Sequence, residues 1–434
     1  MISELPIELQ EKIVGYLQGL DLVVAGEVCE LWHQLASTFC RHAVQDEVPD
    51  DVLEELRAEL VPVAVEGELD TESADHRWLE LYHRWLQSQL RSQVPWRVTY
   101  THNFPFTVQA LLGDGRRLFV ADSEGVLTVL ERGARDAQQH RLYLHDGHIN
   151  QLAAVWQHRL LVVTGADTHF IRAGAQPRLL MCTESMTGQR RVSVHRDQLA
   201  ALKDVYQRTC ITVYRVSADE RWARLQPLYD VRCADAAFQW SLWAGRLICF
   251  LRTGELCVWD QARAAWSSHP EMYSELRYEN PAWVVRDTVL CSTLMQRQMM
   301  GYWHLDRGLT YWLQGRVDQP LTRVQPALGE NILCLCARRS LVVAGTQSGK
   351  LLFFHSGVRG GRDPLVKSRQ TAEPDTHSDV NLTTPVCVIE LGFNSIERIA
   401  LGFSDRVLHV FVKSRKNMVE YIEVAMRPEL LRHS

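Results

Sequence analysis

Two hydrophobic rhythms divide the chain. Up to about residue 92, apolar positions recur every third or fourth residue; from Phe104 onward they fall in short alternating or unbroken runs set between Gly, Asp, Ser and Asn. The first rhythm is that of amphipathic helices, the second that of short strands joined by tight turns. In LPIELQEKIVGYLQGLDLVVAGEVCELWHQLA (5–36), Pro6 suits a first helical turn, where its missing N–H has no partner to lose. Leu9, Ile13 and Leu17 then give one apolar stripe. Gly19 is expected to end that helix and Asp21 to cap a second, in which Ala25, Val28, Cys29, Trp32, Leu35 and Ala36 share a face. Gly26 falls inside this second helix and weakens it by roughly 1 kcal/mol relative to Ala. Two helices this short bury too little surface alone and need a partner, inside the chain or outside it.

Helical spacing continues to residue 92. DDVLEELRAELV places Val52, Leu53, Leu56 and Leu60 on one face. After an acidic break at 66–75, DHRWLELYHRWLQSQL aligns Trp78, Tyr82 or Leu81, Trp85 and Leu86. We read a helical linker here; its first helix serves equally well as a cap on the larger domain.

The second rhythm repeats. Similar strand–turn–strand–turn–strand stretches begin at 107, 149, 237, 282, 331 and 385, separated by 42, 88, 45, 49 and 54 residues. The step of 88 is twice 44, and VHRDQLAALKDVYQRTCITVYRV from 194 supplies the missing copy. Seven units of about 44 residues match the length of a four-stranded propeller blade. A propeller leaves open edges unless its last blade joins its first. Arg97–Thr101 and Val419–Val424 compete for that closing place, with Arg97–Thr101 favoured. The stretch 356–385, rich in Gly, Pro, Ser and Thr, reads as a flexible loop between the last two blades. The fold class expected is therefore α+β and multidomain: an all-α head (1–45), a helical linker (46–95) and an all-β seven-bladed propeller (96–426).

Composition narrows the function classes. A net charge of −5 at pH 7 gives no sign of the concentrated basic surface that nucleic acid or anionic membrane would favour. The 11 cysteines are scattered, no apolar run approaches the ~18 residues that span a bilayer, and MISELPIELQEK is charged from its fourth residue. These features point to a reducing compartment, cytoplasm or nucleus, with no signal peptide expected.

The helical head resembles an F-box. Leu5-Pro6, Leu9, Ile13, Leu17, Leu20-Asp21-Leu22, Val28-Cys29, Trp32 and Leu35-Ala36 all stand in that family's register, over about 35 residues. The stranded part resembles WD repeats: Gly147-His148, Gly165-Ala166-Asp167, Phe403-Ser404-Asp405 and Trp259-Asp260 are pieces of that signature, and no unit has all of them. Together the chain looks like an F-box/WD-repeat substrate receptor. The resemblance implies docking to the Skp-type adaptor of a cullin–RING ubiquitin ligase through Leu5, Pro6, Ile7, Leu9, Ile13, Leu17, Leu22, Val28, Cys29 and Trp32. Of these, Leu5, Leu9, Ile13, Leu17, Val28 and Trp32 should be partly exposed in the isolated chain. It also implies capture of a protein substrate on the propeller face built by the turns between second and third strands. There Arg252, Arg297, Lys350 and Arg406 would give a partly basic rim suited to a phosphorylated substrate, with Asp122, Glu124 and Asp167 working against it. The box starts near residue 3, which favours a monomer within the complex.

Catalytic and cofactor signatures are not found. Gly357, Gly360 and Gly361 lack the following helix a phosphate loop needs, and there is no Gly-x-Ser-x-Gly or His-Glu-x-x-His. Cys334 and Cys336 face one side of a predicted strand but supply only two of the three or four ligands that zinc requires. His145 and His148 belong with the Gly-His of the repeat. No metal, cofactor or catalytic residue is expected. A scaffold or trafficking propeller with another partner for the head, and a propeller enzyme with a site in its channel, are the competing function classes.

Overall fold

The computed structural model describes residues 5–48 apart from Gln18, helical residues Val52, Leu53, Leu56, Arg57 and Leu60, residues 72–87, and most of 96–425. Within that last stretch 270–298, 356–384 and a number of shorter segments lie outside the described residues. The chain falls into a helical unit built on Met1–Arg91 and a stranded unit that begins at Ser92.

Four helices of the first unit have defined bounds: α1 (Ile7–Tyr16), α2 (Gly19–Ala25), α3 (Glu30–Glu47) and α4 (Glu72–Gln87). Pro6 precedes α1, and its carbonyl accepts the N–H groups of Leu9 and Gln10 at 3.0 and 3.1 Å. The one helix expected over 21–36 is two. α2 closes through i→i−3 bonds from Gly26, Glu27 and Val28, Cys29 is extended, and α3 starts after it. Gly26 thus lies in a turn rather than inside a helix. A Cβ there would meet Leu79 of α4 at 3.0 and 3.1 Å, so the glycine is what lets α4 pack so close. α3 runs on past residue 45 to Glu47, and box and linker share one core. Val14, Leu22, Trp32, Ala36, Cys40 and Val44 pack with Val52, Leu56, Leu79, Tyr82 and Trp85. The guanidinium groups of Arg41 and Arg57 lie 5.8 and 5.5 Å from the Trp78 ring, which draws both arginines onto α4. The partner these short helices need is inside the chain.

The stranded unit is a succession of antiparallel groups. The first is β2 (Val108–Asp114), β3 (Arg117–Asp122), β4 (Val126–Glu131) and β5 (Gln138–Tyr143), which follow β1 (Trp96–Asn103) in the chain. The second is β6 (Gln151–Val155), β7 (Leu160–Thr164), β8 (Thr168–Arg172) and β9 (Arg178–Cys182). The third is β10 (Val192–His195), β11 (Gln198–Val205), β12 (Arg208–Ala218) and β13 (Trp222–Arg232). These two merge into one eight-stranded sheet, because β13 pairs in parallel with β9 through Trp222↔Met181 and Ala223↔Cys182. The fourth holds β14 (Ala237–Trp243), β15 (Arg246–Leu251), β16 (Leu256–Asp260) and β17 (Ala265–His269). A fifth shows β18 (Met299–His304), β19 (Leu309–Gln314) and β20 (Thr322–Val324) among the described residues. β21 (Ile332–Arg338), β22 (Leu341–Thr346), β23 (Lys350–His355) and β24 (Cys387–Glu390) make the sixth. The last is β25 (Arg398–Ser404), β26 (Val407–Arg415) and β27 (Met418–Ala425), completed by β1.

First strands pack side by side around the molecule: β2 lies against both β6 and β25, and β10 against both β6 and β14. Separate apolar clusters fill the spaces between neighbouring groups, for example Phe119, Leu127, Leu161 and Ile171 between the first and second. This is the construction of a WD-type propeller. Trp259 belongs to the cluster between the third and fourth groups and meets Trp266 edge-on at 5.5 Å.

Closure uses both segments that the sequence set in competition. β1 pairs antiparallel with β27, from Trp96↔Val424 to Asn103↔Met418, so both lie in the same sheet. Their seam with the first group is tight. A Cβ on Gly113 would lie 2.5 Å from the Leu401 carbonyl oxygen, and one on Gly402 would lie 2.4 Å from that of Gly115. The stretch from 385 is a correction. Its first strand, β24, does not open the last group but pairs with β23 as the outer strand of the sixth, in the register Lys350↔Glu390 to Phe353↔Cys387. Cys387 and Ile389 are buried while Val388 and Glu390 are exposed, the alternation of an outer strand with one face on the core. The interval 356–384 therefore joins two strands of one sheet rather than the last two blades.

Candidate partner-binding surfaces

The head offers an apolar stripe of its own. Leu5, Ile7 (54 % exposed), Leu9 (47 %) and Ile13 stand out along α1, and Val28 (53 %) stands out in the turn before α3. Pro6 and Cys29 are exposed as well, and Tyr16 and Val24 extend the surface. Leu17 is half-buried against the head core. Two of the ten sequence-nominated residues belong elsewhere. Leu22 (4 % exposed) and Trp32 (6 %) are core side chains, so the expectation that Trp32 is partly exposed is overturned. The reason is local: its indole N–H donates to Gln10 Oε1 at 2.8 Å, and Gln10 in turn donates to the Leu5 carbonyl at 2.8 Å. Gln10, itself buried, pins the start of α1 onto α3 and so aims the stripe outward. Its polar type at a helical position gave no sequence signal for this; only its spacing of four from Pro6, on the same helix face, hints at burial.

The second candidate surface is the set of turns between second and third strands. In the first group Asp122 Oδ1 accepts the N–H groups of Glu124 and Val126, both at 2.9 Å, and Gly125 takes φ +77°. In the sixth, Thr346 Oγ1 accepts the Lys350 N–H at 2.9 Å and Gly349 takes φ +80°. These turns are built alike, with a side-chain oxygen closing a loop whose tight bend needs a glycine. Of the four nominated cations only Lys350 is within the described residues, and its ammonium lies 3.7 Å from Glu390. Arg252, Arg297 and Arg406 lie outside the described residues. The basic rim thus has one described member, partly neutralised by a carboxylate.

The last sheet holds a buried polar chain that sequence reading missed. Ser404 Oγ and His409 Nε2 are 2.7 Å apart, His409 Nδ1 bonds the Tyr421 hydroxyl, Tyr421 donates to Glu423 Oε1 at 3.0 Å, and Arg97 Nε donates to Glu423 Oε2 at 2.9 Å. With Glu423 ionised beside Arg97, the Tyr421 proton is committed to it. His409 then donates from Nδ1 and accepts from Ser404 at Nε2, which assigns the neutral Nδ1–H tautomer. The chain crosses all four strands of the closing sheet, from β25 to β1. It is a tie whose middle members His409, Tyr421 and Glu423 are buried, with half-buried Ser404 and exposed Arg97 at its ends. Cys334 is buried and hydrogen-bonds the Ile396 carbonyl, while Cys336 is half-buried. Among the described residues no group of three or more His, Cys, Asp and Glu is placed to hold a metal ion, and no helix is long and apolar enough to cross a membrane.

Comparison with known proteins assigns the head. Residues 2–43 match the F-box domain, and the strands that follow are arranged as in a WD-type propeller. No curated protein matches the chain. Solved structures similar to it include Saccharomyces cerevisiae Sqt1, at 9 % identity over 78 % of this chain and 100 % of that one with a TM-score of 0.45. The WD40 β-propeller domain of Doa1 matches at 10 % identity over 78 % and 99 %, with a TM-score of 0.49. At these scores the likeness carries no functional argument, and the propeller assignment rests on the strand pairing itself.

Proposed function

We propose that this chain is the substrate-recognition subunit of a Skp–cullin–F-box ubiquitin ligase. The head would bind the Skp-type adaptor and the propeller would hold a protein substrate. The observation that carries this reading is the exposure of Leu5, Leu9 and Ile13, spaced every fourth residue, with Ile7 beside them, in a domain that matches the F-box. Large apolar side chains left exposed together on one short helix favour a partner that covers them. Val14, Leu22, Trp32, Ala36, Cys40 and Val44 of the head are buried in the core, so these exposed residues are available without unfolding anything.

The role asks for no acid, base or metal from the chain. A receptor accelerates ubiquitin transfer by holding a substrate lysine near a charged enzyme, which is proximity and effective concentration. The substrate's seat would be the face of second-to-third-strand turns, where Asp-closed and Thr-closed loops present rigid backbone. Proximity labelling from the full chain, with and without a cullin–RING inhibitor, tests the proposal. Proteins that accumulate under the inhibitor around the wild-type chain, and not around an Ile7→Asp/Leu9→Asp chain, are the expected result. Identical labelling with both chains, unaffected by the inhibitor, would rule the ligase role out and leave a scaffold.

A further inference from the structure

The parallel joint between β9 and β13 brings the β12–β13 turn of the third group beside the β8–β9 end of the second. Arg172 and Arg178 are direct cross-strand partners there, and so share one face of the sheet. Directly opposed side chains on antiparallel strands have Cβ atoms roughly 5 Å apart, and like charges so placed repel. A third cation comes from Arg159, whose carbonyl accepts the Ala173 N–H at 2.7 Å and which holds φ +50° in the turn before β7. Arg221 of the β12–β13 turn and Arg224 near the start of β13 follow.

Little acid balances them. Asp219 Oδ1 accepts the N–H groups of Arg221 and Trp222, and Oδ2 pairs with Arg224 at 2.9 Å. Those two backbone bonds hold its carboxyl below the usual range, so it stays charged and committed to its own turn. Glu220 is the other acid. Among the described residues of these strand ends and turns, five arginines stand with two carboxylates. Arg172 is also anchored: its terminal nitrogen donates to the Asp219 carbonyl, while its Nε is buried without an acceptor.

We propose that Arg172 and Arg178 form a binding site for a phosphomonoester, carried on a phosphorylated side chain of a partner protein or free in solution. Two adjacent forks present paired N–H donors to an ion with three acceptor oxygens and nearly two charges. Such a pair suits phosphate better than a carboxylate. One fork is already fixed by Asp219, so little order remains to be lost on binding. The site lies at the end of the sheets opposite the second-to-third-strand turns, and so is independent of where a ligase substrate would sit.

The test uses the full chain. Thermal midpoints are followed while inorganic phosphate is titrated at constant ionic strength against chloride, with O-phosphoserine and a phosphoserine peptide of otherwise neutral sequence as further arms. Saturable stabilisation by phosphate but not chloride is expected. It should weaken about tenfold or more in Arg172→Gln/Arg178→Gln and in Arg178→Gln alone, where the exposed position spares the fold. The exposed Arg141→Gln should leave it unchanged. Tighter binding of the peptide than of inorganic phosphate identifies a phosphorylated partner as the source, and equal binding identifies the free anion. No saturable effect in the wild-type chain, or an undiminished one in the double variant, overturns the proposal.

Discussion

Trp32 shows how a residue's type and its task can part company. Its spacing in the sequence marks it as an F-box position, yet the structure uses it as core, tied through Gln10 to the start of α1. Trp32→Ala should therefore destabilise the head by about 3–5 kcal/mol, read as a lower thermal midpoint, before any partner is added. Loss of adaptor binding in that variant would report unfolding, whereas exposed Ile7 and Leu9 report contact. His195 supplies a pH prediction. Burial first, then Arg196, hold its imidazole down to about 4, with Asp197 opposing. A folded-state value below the ordinary 6.5 means that the unfolded chain takes up the proton first. This stabilisation is full above pH 6.5, falls as pH drops through 6.5, and has gone by pH 4. For a half-buried ring the loss should be about 2 kcal/mol at most. Urea midpoints measured from pH 7 to 4 should fall less in His195→Gln than in the wild-type chain.

The elements were legible where one residue type had one reason to be there. The strand period gave five of the seven unit starts near observed first strands, the start at 282 lies outside the described residues, and the start at 385 marks an outer strand instead; Gly125 and Gly349 sit at positive-φ turns. Gly26 misled, because a glycine that weakens a helix and a glycine that admits Leu79 look the same in a sequence. β24 misled because a 29-residue interval hid its pairing with β23: alternation predicts a half-buried strand but not which sheet it joins. The closing sheet makes two predictions at this scale. Tyr421→Phe leaves His409 and Glu423 each short of a partner in the interior and should cost about 1–3 kcal/mol. Gly113→Ala sets a methyl against the Leu401 carbonyl, a backbone atom that cannot swing aside, and should cost at least as much. Equal thermal midpoints for wild type and Gly113→Ala would mean the seam between first and last groups is looser than described.

At the scale of the molecule, a small helical unit with an exposed apolar stripe precedes a large unit of antiparallel sheets. Class was legible in the sequence because both halves are repeated or patterned over many residues. The substrate face was not, because turn residues are set by local hydrogen bonding and solvation and carry no period. Only Lys350 of the four nominated rim cations stands among the described residues. The Arg172–Arg178 pair escaped notice for a related reason: two arginines six positions apart become neighbours only through a hairpin register. The central claim is that the stripe on α1 is an adaptor-binding surface, and calorimetric titration of the purified full chain with a Skp-type adaptor tests it most directly. Saturable binding by the wild-type chain is expected, with at least a hundredfold weaker binding by Ile7→Asp/Leu9→Asp at an unchanged thermal midpoint. Equal affinity for the two chains would contradict it.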